Sequence, residues 1–351
     1  MKMNNELFRR LMKQVLFIVA VYAVMAVLMS AGLIDRYTGS ILTTASIYVI
    51  VALGLNLVTG MTGQLVLGHA GFMAVGAYGT AILLKAGWPA LPAIFCASVI
   101  AAMMGLLVGL PALKLRGDYL AIVTLGFGEI IRALIQNLDK LTGGASGLMN
   151  IRGVSIGFGD GTTMNFLWVS IFMVLAILAV VHLLTSSQGR AILSVRDDEI
   201  ASESVGINIY YTKVFAFVVS TFLAGIAGGL FAMHYGYLNP DTFNFLKSMD
   251  FLIIVVFGGL GSITGTVVAS FVVVLLQEEL RFLQNYRLVI YPLLLIVMMI
   301  FRPQGLLGTA EVKITEVLTR HWWAQRLSAF RARLSAMSKG RGREGKDDAN
   351  S

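Results

Sequence analysis

Apolar runs about as long as a lipid bilayer is thick recur along this 351-residue chain and limit most strongly what it can fold into. A helix needs about 20 apolar residues to cross the hydrocarbon core. With 57% hydrophobic and only 13% charged residues, the composition departs from that of a soluble domain. The sequence therefore predicts an all-α polytopic membrane protein of about ten transmembrane helices, within a range of 8–10. The ten candidate spans are residues 15–34, 41–59, 64–84, 90–110, 119–136, 166–185, 213–234, 249–262, 264–280 and 287–301.

The distribution of basic residues predicts the orientation in the membrane. The N-terminal arm 1–14 and the segment 302–351 are both rich in Lys and Arg, as cytoplasmic segments are. An even number of spans then places both termini in the cytoplasm, together with the loop 186–212, and makes 15–301 the transmembrane domain. A minority of basic residues, Lys247 among them, are assigned to outer loops or outer helix ends.

The segment after the last span has two parts. Large apolar side chains recur at helical spacing between residues 318 and 337, with arginines among them. This pattern is typical of a basic amphipathic helix at an anionic membrane surface. The polar, glycine-containing stretch 338–351 is expected to be disordered.

A polar segment, GRAILSVRDDEIASESVGIN at residues 189–208, interrupts the apolar chain with six charges. Its interior predicts a short helix with Asp197 as the N-cap, Asp198 and Glu199 at the positive end of the dipole, and Gly206 as the C-terminal stop. A helix of about eight residues is about 12 Å long and cannot span the bilayer. The segment is therefore either a docking surface or a solvated loop helix, and the pattern alone favours neither.

Glycine and small residues are dense in two transmembrane segments, which favours close helix packing over direct substrate contact. Gln64 and His69 are polar side chains near a helix start, and His69 is interpreted as a hydrogen-bonded packing histidine rather than a gate. Glu129 and Arg132, three residues apart, are expected to neutralise each other. The residues assigned to a possible translocation path or packing seam are Gly63, Gln64, Gly68, His69, Gly71, Gly258, Gly259 and Gly261.

Sequence signatures of catalysis are missing. The four histidines are scattered, and neither H-E-x-x-H nor G-x-S-x-G occurs. Residues 340–347, GRGREGKD, are nearly a phosphate-binding loop, but Asp347 replaces the hydroxyl that would bind magnesium. The single cysteine, Cys96, allows no disulfide framework. We therefore expect a non-catalytic chain that binds no metal or cofactor and depends on a partner for energy.

Six segments together resemble a known family. In order, they read GLNLVTGMTGQLVLGHAGFMAVGAYG, LKLRGDYLAIVTLGFGEIIR, LTGGASGL, GRAILSVRDDEIASESVGIN, FGGLGSITG and RPQGLL. Over residues 41–307 the chain is similar to the M-type permease subunit of bacterial branched-chain amino-acid ABC transporters. Ala145 departs from the proline that often follows the two glycines of LTGG, and the long basic tail is not a family hallmark.

The resemblance implies a multi-pass permease of the bacterial inner membrane that imports leucine, isoleucine or valine. Its partners would be an H-type permease, two cytoplasmic ATPases that bind ATP and Mg, and an extracytoplasmic amino-acid-binding protein. By the same resemblance, the loop 186–212 carries a coupling helix that enters a cleft of one ATPase. The residues assigned to that helix are Gly189, Arg190, Ile192, Val195, Arg196, Asp197, Asp198, Glu199, Ile200 and Gly206, with the three apolar side chains seating it.

Other functions stay open at this point. A urea or short-chain amide ABC importer has a similar permease. A self-sufficient channel or an ion-coupled carrier is a different class, and the scarcity of acidic residues in the middle of the spans argues against the carrier. A purely structural scaffold is disfavoured by the interrupted glycine-rich spans.

Overall fold

A computed structural model of the chain describes residues 35–115, 117–151 and 161–280, with only the backbone for 161–165. These residues belong to one compact unit. The predicted spans 15–34 and 287–301, the arm 1–14 and the tail 302–351 lie outside the described residues.

The described part of the chain is almost entirely helical, which confirms that the fold is mainly α. Two short 3-10 helices, Gly144–Ser146 and Pro240–Phe243, and an isolated β bridge between Leu148 and Leu238 complete it. Its eleven α-helices are α1 (Arg36–Thr59), α2 (His69–Lys85), α3 (Ala90–Ala112), α4 (Asp118–Asn137), α5 (Asp139–Thr142), α6 (Gly161–Thr185), α7 (Ser187–Asp197), α8 (Glu199–Ser204), α9 (Ile209–Tyr235), α10 (Phe245–Gly258) and α11 (Ile263–Glu279).

Eight of the ten predicted spans coincide with helices: α1, α2, α3, α4, α6, α9, α10 and α11. Four helical segments of the described chain are long and apolar enough to cross a membrane by themselves: α1, α3, α9 and Phe166–Thr185 of α6. The other four are too short or too polar for that test, and two of them differ from the predicted bounds.

The two predictions that need correction both lie next to glycine turns. Residues 64–68 are not helical, and α2 begins only at His69, because Gly63 adopts a positive φ of 72° that ends the preceding turn. The predicted run 249–262 is displaced, since α10 begins earlier and ends at Gly258. Gly259 and Gly261 then have φ of 107° and 85°, which a helix cannot accommodate.

Helices α1 and α9 form the centre of the bundle. Every residue from 43 to 59 in α1 is buried, and α9 packs against α1, α2 and α3. The α2 and α9 backbones meet at glycines: a Cβ atom added to Gly76 would overlap the backbone of Gly225, and one added to Gly228 would overlap Met73. Small residues thus bring the helix axes together, as is common in membrane proteins.

Candidate functional site

The loop between α6 and α9 contains two helices where the sequence predicted one. Ser186 caps α7 by accepting a hydrogen bond from Gly189 N at 3.2 Å. The prediction that Asp197 is the N-cap is wrong: Asp197 is the last residue of α7, and Asp198 caps α8 by accepting from Ile200 N and Ala201 N at 2.9 and 3.0 Å. The boundary differs because Asp198 is the extended residue between the two helices.

The predicted stop at Gly206 is confirmed. Gly206 has a φ of 89°. Its N–H donates to Glu203 O at 2.9 Å, and Ile207 N donates to Ser202 O at 3.1 Å. These two bonds form the Schellman arrangement that satisfies the last carbonyl groups of a helix.

The apolar side chains of this loop face in two directions. Ile192 and Val195 of α7 are 0% and 1% exposed, whereas Ile200 of α8 is 82% exposed. The expectation that all three seat the loop in a partner therefore needs correction, since the first two pack within this chain. Gly189 also serves internal packing, because a Cβ there would overlap the backbone of Leu184 at the end of α6.

Arg196, at the end of α7, lies against two glycine turns of the transmembrane bundle. We define the first glycine turn as residues 60–63, after α1, and the second as residues 259–262, between α10 and α11. Arg196 Nη1 donates to Gly60 O at 3.4 Å. A Cβ added to Gly261 would lie 2.9 Å from the same nitrogen, and one added to Gly63 would lie 3.6 Å from Arg196 Cγ. The lack of a side chain at Gly261 therefore makes room for the guanidinium group.

Asn56 joins the two glycine turns to each other. Its Nδ2 donates to Ser262 O at 3.0 Å and to Thr266 Oγ1 at 2.9 Å, while its Oδ1 accepts from Gly261 N at 2.9 Å. Asn56 is fully buried. Sequence analysis missed this residue, although a lone Asn within an apolar run was a signal that it needs a partner.

The remaining charged residues of the loop hold it to the bundle or face outward. Lys213 Nζ of α9 pairs with Glu199 Oε1 of α8 at 2.5 Å, and Tyr210 OH donates to Leu110 O of α3 at 2.6 Å. Arg190 is exposed and donates to Thr185 O at 3.2 Å. Arg196 also pairs with the exposed Asp197 at 3.1 Å. The loop is therefore anchored at both ends, and α8 presents its apolar side chain outward.

The glycines predicted for a path or a seam make close contacts between helices. A Cβ added to Gly71 would lie 2.8 Å from Gly128 Cα of α4, and Gly68 approaches the same helix at Thr124. Gly258 is equally close to Gly265 across the second glycine turn. These contacts agree with the packing interpretation.

His69 is fully buried at the start of α2, and its contacts agree with a hydrogen-bonded packing histidine. Its Nε2 lies 2.7 Å from Ser220 Oγ, which itself donates to Gly54 O at 2.5 Å. Since the Ser220 hydrogen is used for Gly54, Nε2 of His69 carries the hydrogen of that bond. Gln64 is also buried and lies 3.5 Å from the Thr62 hydroxyl.

The opposite end of the bundle carries the ion pair that the sequence predicted. Arg132 Nε lies 2.7 Å from Glu129 Oε2. Arg132 and Gln136 each also contact Asp241 Oδ1 at 2.9 Å, which links α4 to the 3-10 helix Pro240–Phe243. The local pair is thus part of a larger network.

A polar cluster that the sequence analysis missed lies between α1 and α10. Lys247 is the third residue of α10, at the end of that helix opposite the second glycine turn. Its ammonium group bonds the hydroxyl of Tyr48, lies 4.3 Å above the centre of that ring, and is 4.0 Å from Asp250 Oδ2. We call these three residues the Lys247 cluster. Across the described ranges, no three His, Cys, Asp or Glu residues come together as a metal site would require.

Comparison with known proteins gives one family and a consistent set of relatives. The family model described as "Branched-chain amino acid transport system / permease component" matches residues 37–301. The high-affinity branched-chain amino acid transport system permease protein LivM of Escherichia coli is 39% identical over 324 residues, covering 84% of this chain and 75% of the relative. LivM of Salmonella typhimurium is 38% identical with the same coverage, and the permease protein LivH of Escherichia coli is 26% identical over 77% of this chain and 94% of the relative. No solved structure matches the chain.

Proposed function

The chain belongs to the family of branched-chain amino acid transport system permease components, and from that premise we propose that it is the M-type permease of an ATP-driven importer of leucine, isoleucine and valine. The observation that carries this proposal is the 39% identity over 84% of the chain to a permease of that name. The helical bundle, packed closely through glycines, supports this proposal, because a path across a membrane is built from closely packed helices.

The complete transporter in this proposal has four further subunits around the chain. An H-type permease forms the second half of the path, as the naming of the LivH relatives suggests. Two cytoplasmic ATPases bind ATP and Mg, and an extracytoplasmic binding protein delivers the amino acid. The chain itself breaks no bond and supplies the path and its two-state packing.

The loop helices α7 and α8 are the proposed coupling element. Helix α8 offers the exposed Ile200 to an ATPase, while α7 keeps Ile192 and Val195 against this chain. Movement of α8 is passed to α9 through the ion pair of Glu199 and Lys213, and movement of α7 reaches both glycine turns through Arg196. ATPase closure can thus act on the bundle as a rigid lever.

The proposed topology has ten spans in the bacterial inner membrane, with both termini in the cytoplasm. Both glycine turns and the loop helices lie at one end of the bundle, because Arg196 contacts Gly60 and borders Gly261. The network around Asp241 lies at the other end, as alternating helix directions require. Spans 15–34 and 287–301 and a surface-bound amphipathic tail complete the proposal from sequence alone.

Labelled leucine uptake tests the proposed function. We expect uptake to be lost in cells that lack this gene, restored by complementation, and suppressed by unlabelled isoleucine but not by urea. The strain should lack other leucine carriers, so that background uptake does not hide the effect. Unchanged leucine uptake, with loss of labelled urea or amide uptake, would reassign the substrate and keep the family.

A further inference from the structure

We propose that the Lys247 cluster is a transient binding site for the charged head group of an α-amino acid, with Lys247 facing its carboxylate and Asp250 its ammonium group. The assignment rests on the proposed import function. It adds a location and a chemistry for the substrate within the membrane.

The cluster lies within the helical bundle, towards the ends of α9 and α11 that are remote from the glycine turns, since Tyr235, the last residue of α9, interacts electrostatically with Tyr48 and Lys247. Tyr48 is close to the midpoint of α1, which runs from Arg36 to Thr59, so it is about 18 Å from the first residue at 1.5 Å per residue. The ammonium group of Lys247 reaches the Tyr48 hydroxyl, and Asp250 hydrogen-bonds Gln277 near the end of α11. Helix α10 is only 14 residues, about 21 Å, which is shorter than the hydrocarbon core of about 30 Å.

Charged side chains inside a membrane-spanning bundle are costly and usually functional. Lys247 and Asp250 are only 17% and 26% exposed. Their charged groups are 4.0 Å apart, at the limit of an interaction, and Asp250 also hydrogen-bonds Gln277 of α11. The Lys247 ammonium instead bonds the Tyr48 hydroxyl and faces the aromatic rings of Tyr48 and Phe251 at 4.3 and 5.8 Å.

The arrangement suits a zwitterion. An ammonium group has three N–H donors, and among the described residues Lys247 makes one hydrogen bond, to Tyr48, and the loose pair with Asp250. An amino-acid head group carries a carboxylate and an ammonium group on one carbon, so it can meet both side chains at once. A free cation or anion would satisfy only one of the two charges. The pair therefore selects for α-amino acids as a class.

A stripe of polar residues leads from one end of the bundle to this cluster. Ser40, Thr44 and Tyr48 are four residues apart and share one face of α1. Ser40 Oγ is 3.0 Å from His234 Nε2, and Thr44 Oγ1 is 3.0 Å from Tyr235 OH. These hydroxyl and imidazole groups give a polar substrate partners between the proposed outer end and Lys247, whereas the rest of α1 above the first glycine turn is mostly apolar.

The test uses the complete transporter with its second permease, ATPases and binding protein in proteoliposomes. Labelled leucine uptake and ATP hydrolysis are measured together for Lys247→Met and Asp250→Asn. We expect uptake to fall about tenfold or more, as loss of a charge-assisted contact implies, while ATP hydrolysis stimulated by the loaded binding protein persists. Lys85→Met is the matched control, because Lys85 is exposed at the end of α2, and it should keep wild-type uptake.

A double variant separates substrate binding from a structural ion pair. Exchanging the charges, Lys247→Asp with Asp250→Lys, keeps one charge of each sign and places the acid in the first turn of α10, where the helix dipole favours it. We expect uptake to be lost, because the charges then oppose the orientation of the head group, while ATP hydrolysis stimulated by the loaded binding protein persists. If the single variants do not assemble, leucine uptake by the exchanged variant alone tests the proposed binding site.

Different results would overturn the binding site at the Lys247 cluster and the proposed function of leucine import. Wild-type uptake by both single variants, or by the exchanged variant, would overturn the site. Absence of leucine uptake by the wild-type complex would instead count against the proposed function, whatever the variants do.

Discussion

At the residue scale, Asn56 is the clearest case of one polar side chain that holds two segments together. It is fully buried and its amide serves three partners in the second glycine turn and the start of α11. Each buried polar group left without a partner costs about 1–3 kcal/mol. Both glycine turns therefore depend on this amide for their contact.

We predict that Asn56→Ala lowers the free energy of unfolding by about 2–3 kcal/mol, since Gly261 N–H and Ser262 O lose their partner inside the bundle. The loss should appear as a lower midpoint in thermal unfolding of the purified, detergent-solubilised protein. Asn137→Ala is the control, because Asn137 is exposed and bonds only Ala133 O within its own helix. Equal midpoints for the two variants would contradict the role given to Asn56.

Residue contacts could be predicted from the sequence only where they are local. The pair of Glu129 and Arg132 was predictable because it spans three positions on one helix. The partners of Lys247 and Asn56 lie 199 and 205 positions away along the chain. Such contacts follow from helix packing, which no periodicity in one sequence reveals.

At the element scale, the loop helices show what local signals can and cannot establish. Gly206 marked the end of α8 because only a residue that tolerates positive φ fits there. Helix α7 was missed as a separate helix because its apolar residues face this chain, and the pattern of residues 189–208 predicts only one short helix. Likewise, residues 64–68 are apolar enough to extend a span, but Gly63 and the contact of Gly68 with α4 prevent a helix.

Substituting the stop residue tests the coupling proposal. In Gly206→Val, a β-branched residue is forced into the left-handed region, at a cost of about 1–2 kcal/mol or more. Nothing lies within 4 Å of an added Cβ, so the effect is confined to the backbone. We expect leucine uptake to fall while the amount of protein in the membrane stays normal.

The control for this experiment is Gly126→Val. An added Cβ at Gly126 also meets nothing within 4 Å, but Gly126 lies in α4 without a positive φ. It should transport at close to the wild-type rate. Normal uptake by Gly206→Val would argue against α8 as the element that carries ATPase movement.

At the scale of the whole molecule, hydropathy predicted the positions of eight described helices, and four helical segments among them are long and apolar enough to cross a membrane. The orientation rests on the basic ends of the chain, which lie outside the described residues. The Lys247 cluster could not be predicted at this scale either. Hydropathy predicted a span that begins at residue 249, so the first turn of α10, which contains Lys247, was left outside it.

The single cysteine makes the orientation simple to test. In a Cys96→Ala background, a cysteine is introduced at the exposed Ser204 in α8 or at the exposed Lys140 in α5. A membrane-impermeant maleimide should label Ser204→Cys only in inside-out vesicles and Lys140→Cys only in right-side-out vesicles. The reverse pattern would invert the proposed topology, and labelling of both from one side would disprove the alternation of spans.

The charges of the Lys247 cluster also bear on the electrical behaviour of the transporter. Moving one elementary charge through 100 mV involves about 2.3 kcal/mol. Lys247 and Asp250 have opposite charges, and an amino-acid zwitterion bound between them is neutral. The proposed site is therefore electrically neutral both empty and loaded, and we expect labelled leucine uptake to change little when the membrane is depolarised at a fixed ATP concentration.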